Sequence, residues 1–404
     1  MFTANIAKTW LLKRGPPATE PCLMPHYKNF DMLRLIAASS VIFSHSFLLA
    51  DGHERNEPFV GLFGHILGVY GVYIFFILSG LLVTQSMFSS KSITSFSLKR
   101  FARIYPGFFV CNVLTISFAV AFFYSGSVSQ FLAESGKETL QVFAFIRDGI
   151  YYNGLEIYPS QSYIGTILNG SLWTIRQELV CYIAVGALFY FGFLNIRVAA
   201  TMVCAGLVMH YFNLWGFNKF TGGLIFVAPS FFSGMMMYFV LKLHRPSGKL
   251  AVVCLGILGV SAYFRVFDYC FPLVGAYLIA YLGTSAPFNL GNAARFGDLS
   301  YGTYLYGWPV EQLVRFYFGE GVQWWTVFII SLPMALALGF LSWHFVEKPA
   351  MTFLVIKAKT QEHGRSRKRW GDLKSSFGPI IEASAQAQPA RQYVRARPAS
   401  DQNG

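Results

Sequence analysis

Side chains that are costly inside a membrane recur in this sequence among apolar neighbours, and their spacing suggests chemistry rather than accident. Arg34 and His45 stand eleven residues apart in one apolar run. That is close to three helical turns, which puts both on one helix face about 16 Å apart along the axis. Read as structure alone, Arg34 snorkels to lipid phosphate and His45 bonds a neighbouring helix. Read as chemistry, one helix carries a cation at one end and a proton-transfer group at the other. Arg100 and Arg103 lie one turn apart in Lys99-Arg100-Phe-Ala-Arg103-Ile-Tyr105-Pro106, ahead of a further apolar run. Paired guanidiniums suit phosphate binding, Pro106 suits the first turn of a helix, and anchoring at the membrane surface explains the arginines equally well. In Ser171-Leu-Trp173-Thr-Ile-Arg176-Gln-Glu178 a carboxylate falls about two turns inside another apolar run, with Tyr182 on its face at i, i+4. The plain alternative is a structural pair of Glu178 with Arg176 or Tyr182.

Other stretches read first as packing. Gly71 to Gly80 flanks an aromatic run with small residues, which favours close helix approach. Ser300-Tyr301 through Tyr304-Leu305-Tyr306-Gly307-Trp308-Pro309 and Trp343-His344-Phe-Val-Glu347-Lys348-Pro349 read as an aromatic belt and helix ends, with His344 an interfacial histidine.

The elements that must position these groups are membrane helices. The chain is 404 residues long, 54% hydrophobic and only 13% charged, against about 25% in soluble domains; its mean hydropathy is +0.45. Apolar runs of roughly 20 residues recur, and in lipid they must be helical to satisfy their own backbone. The predicted fold is therefore all-α, a polytopic membrane bundle of ten helices at 31–50, 66–87, 104–125, 172–193, 197–212, 222–242, 250–265, 270–284, 299–316 and 324–345. The seventh and eighth, flanking Arg265 and Asp268, are short enough to be tilted or re-entrant. Ten crossings put both termini on one side. Of the Lys and Arg residues, 25 fall on that side and 6 on the other, so both termini are expected in the cytoplasm.

Three regions follow: a cytoplasmic extension over 1–27, a membrane domain over 28–350 and a basic tail over 351–404 that lacks the apolar content to fold alone. The first apolar core is too short for a signal peptide, so the first membrane helix directs insertion. The 126–170 connection is the one long external segment and is expected to pack over the external mouth. The net charge of +13 does not indicate nucleic acid, because 11 of the 32 basic residues lie in the last 57 positions and most others in short loops. Six cysteines are scattered singly without a partner histidine, and no metal site is expected.

Taken in order, these residues resemble the acyltransferase-3 family, membrane enzymes that O-acylate surface polysaccharides and related glycoconjugates. The resemblance covers roughly 28–350. It rests on Arg34 with His45, on Arg100 and Arg103 before Ile-Tyr-Pro, and on Ser171-Leu-Trp173 followed by Glu178. Phe232-Ser-Gly234, Ser300-Tyr301 through Tyr304-Leu305 and Val346-Glu347-Lys348-Pro349 complete it. One departure is visible, since many members have a histidine where this chain has Gly307. The segment before Asn29 is unusually long, with Met24 a second candidate start, and no hydrolase-like carboxy-terminal domain is expected.

The resemblance implies a bacterial inner-membrane enzyme that takes an acyl group, in the first instance acetyl, from cytoplasmic acyl-CoA. The acceptor is a hydroxyl of an extracytoplasmic glycan or glycolipid such as exopolysaccharide or lipopolysaccharide. Arg34, Arg100 and Arg103 are then expected to hold the CoA phosphates. His45 is the expected base, in direct transfer or as a covalent acyl carrier, with Glu178 orienting it or binding the acceptor and Tyr182 facing the developing oxyanion. No bound cofactor is expected beyond this co-substrate. The competing class is a transporter or flippase of a glycolipid or small anion, which would use the same buried ions as a pathway but usually shows repeats that are missing here.

Overall fold

A peptide group without a partner costs several kcal/mol in hydrocarbon, so long apolar runs close their hydrogen bonds within a helix, and polar residues mark where each run starts. A computed structural model describes residues 27, 29–124, 126–147, 167–214, 218–291 and 293–353. Among them every regular element is a helix, with no β-strand. In chain order these are α1 (Phe30–Asp51), α2 (Pro58–Phe63), α3 (Leu67–Phe88), α4 (Ile93–Phe123), α5 (Val128–Phe143), α6 (Trp173–Tyr190) and α7 (Ile196–Tyr211). They continue with α8 (Lys219–Leu243), α9 (Gly248–Tyr263), α10 (Phe267–Cys270), α11 (Ala276–Thr284), α12 (Ser300–Phe318) and α13 (Trp324–Ser342). Ser92, Ser127, Asn195, Asn218 and Ser247 cap their helices, each side chain accepting from a first-turn N–H.

Six of the described helical segments are long and apolar enough to cross a membrane, and α7 and α9 are shorter apolar helices. On α9 the outward residues Val252, Leu255, Ile257 and Val260 are exposed and apolar, as a lipid-facing surface requires. The chain is thus a multi-pass membrane helical bundle. Contacts divide it after Met351, and of the second unit only Thr352 and Phe353 are described. The 1–27 extension, apart from Tyr27, and the remainder of the expected tail lie outside the described residues, as does 148–166 of the long connection.

Helix α3 lies at the centre, against α1 on one side and α8 on the other. A Cβ added at Gly80 would fall on the carbonyl of Phe231, and one at Gly234 on the carbonyl of Ile77, so α3 and α8 touch backbone to backbone. The Gly71–Gly80 stretch is therefore a packing surface, as its small residues predict. Helix α12 packs between α13 and α1.

Three boundaries differ from expectation. Helix α4 begins at Ile93 rather than 104, because Ser92 caps it through Ser95 N (3.1 Å) and the basic stretch Lys99–Arg103 stays helical. Pro106 is consequently interior. Within 126–170, α5 is an amphipathic helix opened by a capping box of Ser127 and Gln130. The short eighth run is a composite, with α10 and α11 joined by a π-helical turn over Phe271–Gly275; Arg265, at φ 57°, turns the chain between α9 and α10.

Candidate active site

Five of the six expected site residues line one cavity. Arg34 from α1, Arg100 and Arg103 from α4, and Glu178 and Tyr182 from α6 stand on its wall, with Tyr304 from α12. His45 does not line it.

At the basic end, two of the three arginines are committed to carboxylates. Arg103 donates to Asp298 Oδ2 (2.5 Å) and to Glu347 Oε2 (3.2 Å), and Arg34 donates to the same Asp298 oxygen (3.3 Å). Ser300 Oγ donates to Asp298 Oδ1 (2.7 Å) and Ser342 Oγ to Glu347 Oε1 (2.9 Å). Glu347 closes a π-helical turn over Trp343–Glu347 at the end of α13, a local widening of the kind often found at functional sites. Asp298 precedes α12 in a loop. Burial works to raise its pKa, but Arg103, Arg34 and the Ser300 hydrogen bonds outweigh it and hold the carboxyl below its ordinary range.

Arg100 is placed differently. Its guanidinium lies 5.8 Å from the centre of the Tyr182 ring, and its buried Nε has no hydrogen-bond partner. Tyr182 OH donates to Glu178 Oε1 (2.5 Å), Ser79 Oγ donates to the same oxygen (2.8 Å), and the two hydroxyls stand 3.2 Å apart. Glu178 is therefore tied to Tyr182 and Ser79, while Arg176 lies over the Phe220 ring at 4.1 Å.

His45 faces α12. Its Nδ1 stands 3.6 Å from Oε2 of Glu311, and its ring meets Trp308 edge-on with centroids 4.8 Å apart. Glu311 is fully buried, and Ser46 Oγ donates to its Oε1 (2.8 Å). Neither His45 Nδ1 nor Glu311 Oε2 has a hydrogen-bond partner. The carboxylate beside His45 is Glu311, not Glu178, which is held at the arginine end. Glu178, expected to orient the imidazole or to bind the acceptor, stands on the cavity wall it shares with Arg100 and accepts from Tyr182 and Ser79.

Trp308, in edge contact with His45, lies one turn beyond the cavity-lining Tyr304 on α12. A short strap, Ile167–Asn169 leading into a 3-10 turn over Gly170–Leu172, presses onto this stretch of helix. Ile167 O accepts from Trp308 Nε1 (3.2 Å) and Gln312 Nε2 (2.6 Å), Asn169 Nδ2 donates to Leu305 O (2.9 Å), and Tyr304 OH donates to Ser171 O (2.8 Å). Irregular backbone is tolerated at such depth only where protein satisfies it, as here. The end of the 126–170 connection thus enters the bundle rather than merely covering it.

The sequence reading gave no role to Ser79, Asp298, Glu311 or Trp308. Glu311 carried the same signal as Glu178, an ionisable residue inside a membrane helix, but was masked by the aromatic segment around it. At Gly307, where many family members have histidine, a side chain would press on Ile42 Cγ1 at 2.8 Å. The ionisable group facing His45 in this chain stands one turn further on. Among the described residues no cluster of His, Cys, Asp and Glu could hold a metal ion.

The sequence model of the acyltransferase-3 family, described as an acyltransferase domain, matches residues 27–344. The chain is 32% identical over 353 residues to nodulation protein 10 of Rhizobium leguminosarum bv. viciae, covering 81% of this chain and 94% of that one. It is 31% identical over 351 residues to an O-acetyl transferase of Shigella phage Sf6, covering 81% and 97%. No solved structure shows a significant match.

Proposed function

The chain belongs to the acyltransferase-3 family and is a multi-pass membrane O-acyltransferase; from that premise we propose that it moves an acetyl group from acyl-CoA at the cytoplasmic face of a bacterial inner membrane to a hydroxyl of an extracytoplasmic glycan, exopolysaccharide or lipopolysaccharide. The phage relative's name favours acetyl as the group transferred. The excess of 25 basic residues over 6 supports ten crossings with both termini, and therefore the arginine end of the cavity, on the cytoplasmic side.

The observation that carries the donor assignment is Arg100. A buried guanidinium nitrogen without a partner, on the wall of a cavity it shares with Arg34 and Arg103, offers charge-assisted contacts to an anion. Asp298 and Glu347 hold Arg34 and Arg103 in place and balance their charge, which leaves Arg100 as the cation of that end. A phosphate of acyl-CoA fits that chemistry, and Arg100 would be its first contact. Glu178, Tyr182 and Ser79 form the cavity wall beside it.

His45, about 16 Å further along α1 than Arg34, is the proton-transfer group. Its nitrogen takes the proton of the acceptor hydroxyl as that oxygen attacks the thioester carbonyl carbon. The carbon–sulfur bond then breaks, and the proton passes from the imidazole to the departing thiolate. The products are an O-acyl glycan and CoA thiol, with no net proton change. For the thioester to reach His45, the Trp308 ring and the Ile167–Leu172 strap must give way.

The test is transfer of label from acetyl-CoA, supplied to the cytoplasmic face of inverted vesicles, to a co-enclosed bacterial polysaccharide. Labelled polysaccharide is expected, released by mild alkali as an O-ester. Failure to label any polysaccharide of the parent strain, with inserted protein present, would remove the glycan assignment.

A further inference from the structure

We propose that Glu311 is the positioning residue for His45. The inference rests on the reading of His45 as the proton-transfer group, and it concerns the carboxylate of Glu311 that faces that imidazole. A carboxylate at this depth of a membrane helix is costly unless something is gained by it. The structural bonds of α12 do not require it. Trp308 and Gln312 bind Ile167 O, and Arg315 donates to Leu49 O (3.2 Å) and to Gly319 O. Glu311 makes none of these contacts and is instead turned toward α1.

Its two oxygens are used differently. Ser46 Oγ, whose single proton is shared between Ile42 O (2.9 Å) and Oε1 (2.8 Å), holds one oxygen toward α1 while Oε2 faces His45 Nδ1 across 3.6 Å. Neither of those facing atoms has another hydrogen-bond partner, although both are buried. The gap is longer than a hydrogen bond, and small rotations of the two side chains close it; catalytic hydrogen bonds are often long before substrate arrives. Trp308, edge-on to the imidazole, limits the rotation of the ring.

When Glu311 accepts from Nδ1–H, the tautomer is fixed and the Nε2 lone pair is left free. As Nε2 takes the acceptor's proton, the ring becomes an imidazolium and the facing carboxylate stabilises it. The proton then leaves from Nε2 to the thiolate, and Glu311 ends the cycle unchanged. It touches neither substrate, so its effect falls on turnover and not on donor binding.

The experiment uses the full-length protein in inverted vesicles with acetyl-CoA and the parent polysaccharide, normalised to inserted protein. Glu311→Gln, which keeps the shape and removes the charge, is expected to lower kcat about tenfold or more and to leave the KM for acetyl-CoA within about twofold. Glu311→Asp is expected to recover part of the loss. The double variant with His45→Ala is expected to be no slower than His45→Ala alone. Wild-type kcat in Glu311→Gln while His45→Ala is inactive would overturn the inference and spare the assignment of His45. Full activity in His45→Ala would instead remove the reading on which it rests. If Glu311→Gln does not insert, Ser46→Ala decides: a loss of kcat of a few fold at constant donor KM is expected, and an unchanged kcat overturns the inference.

Discussion

The Arg34–Arg103–Asp298–Glu347 group and the His45–Glu311 pair both place ionisable groups inside the bundle, but they differ in how completely those groups are satisfied. Around Arg103 the bonds are short and shared, with two carboxylates, each held in turn by a serine. At His45 the facing atoms stand 3.6 Å apart without other partners. A saturated network holds its shape and resists change, whereas a pair left open keeps a lone pair and a charge available. The first is a frame for the donor cavity, and the second is where a proton can be moved. Arg100 sits between these cases, inside the frame but with an unused nitrogen.

The comparison is broken most forcefully at Asp298. Asp298→Ala would strand Arg34 and leave Arg103 with Glu347 alone, and removal of one partner of a buried pair costs about 3–5 kcal/mol. The expected outcome is a large fall in membrane-inserted protein and in the midpoint of thermal unfolding in detergent, and unaltered values would show that the network is not structural. Arg100→Gln should leave abundance unchanged and raise the KM for acyl-CoA about tenfold, since one charge-assisted contact is worth about 1.5–3 kcal/mol. A change in the acceptor KM alone would move Arg100 out of the donor site. The smallest effect is expected of Tyr182→Phe, which loses one hydrogen bond to Glu178 worth about 1 kcal/mol. Steady-state kinetics should show a reduction of a few fold in kcat/KM for the donor, and a loss above a hundredfold would promote Tyr182 to a direct role in the chemistry.

What was legible in the sequence was local. The eleven-residue spacing put Arg34 and His45 on one helix, the i, i+4 spacing brought Tyr182 to Glu178 (2.5 Å), and the small residues of Gly71–Gly80 announced close packing. What was hidden depends on partners far apart in the chain. Arg103 meets Glu347 across 244 positions and Asp298 across 195, a pairing that no periodicity encodes. Glu178 looked like a partner for His45 because both lie within apolar runs, yet only the tertiary arrangement decides which carboxylate reaches which cation. Helix α5 was missed because its polar face reads as loop, although Ser127 and Gln130 already spelled a cap. Pro106 suggested a helix start that the cap at Ser92 pre-empts.

The division between donor cavity and proton-transfer group is tested most directly by measuring acyl-CoA binding and acyl transfer on the same preparation of His45→Ala. Binding is expected to stay within about twofold of the parent protein, because Arg34, Arg100 and Arg103 are untouched. Transfer normalised to inserted protein is expected to fall roughly a hundredfold or more, as for loss of a positioned proton-transfer group. Near-parental transfer per inserted molecule would contradict the assignment of His45 and, with it, the separation of the two ends.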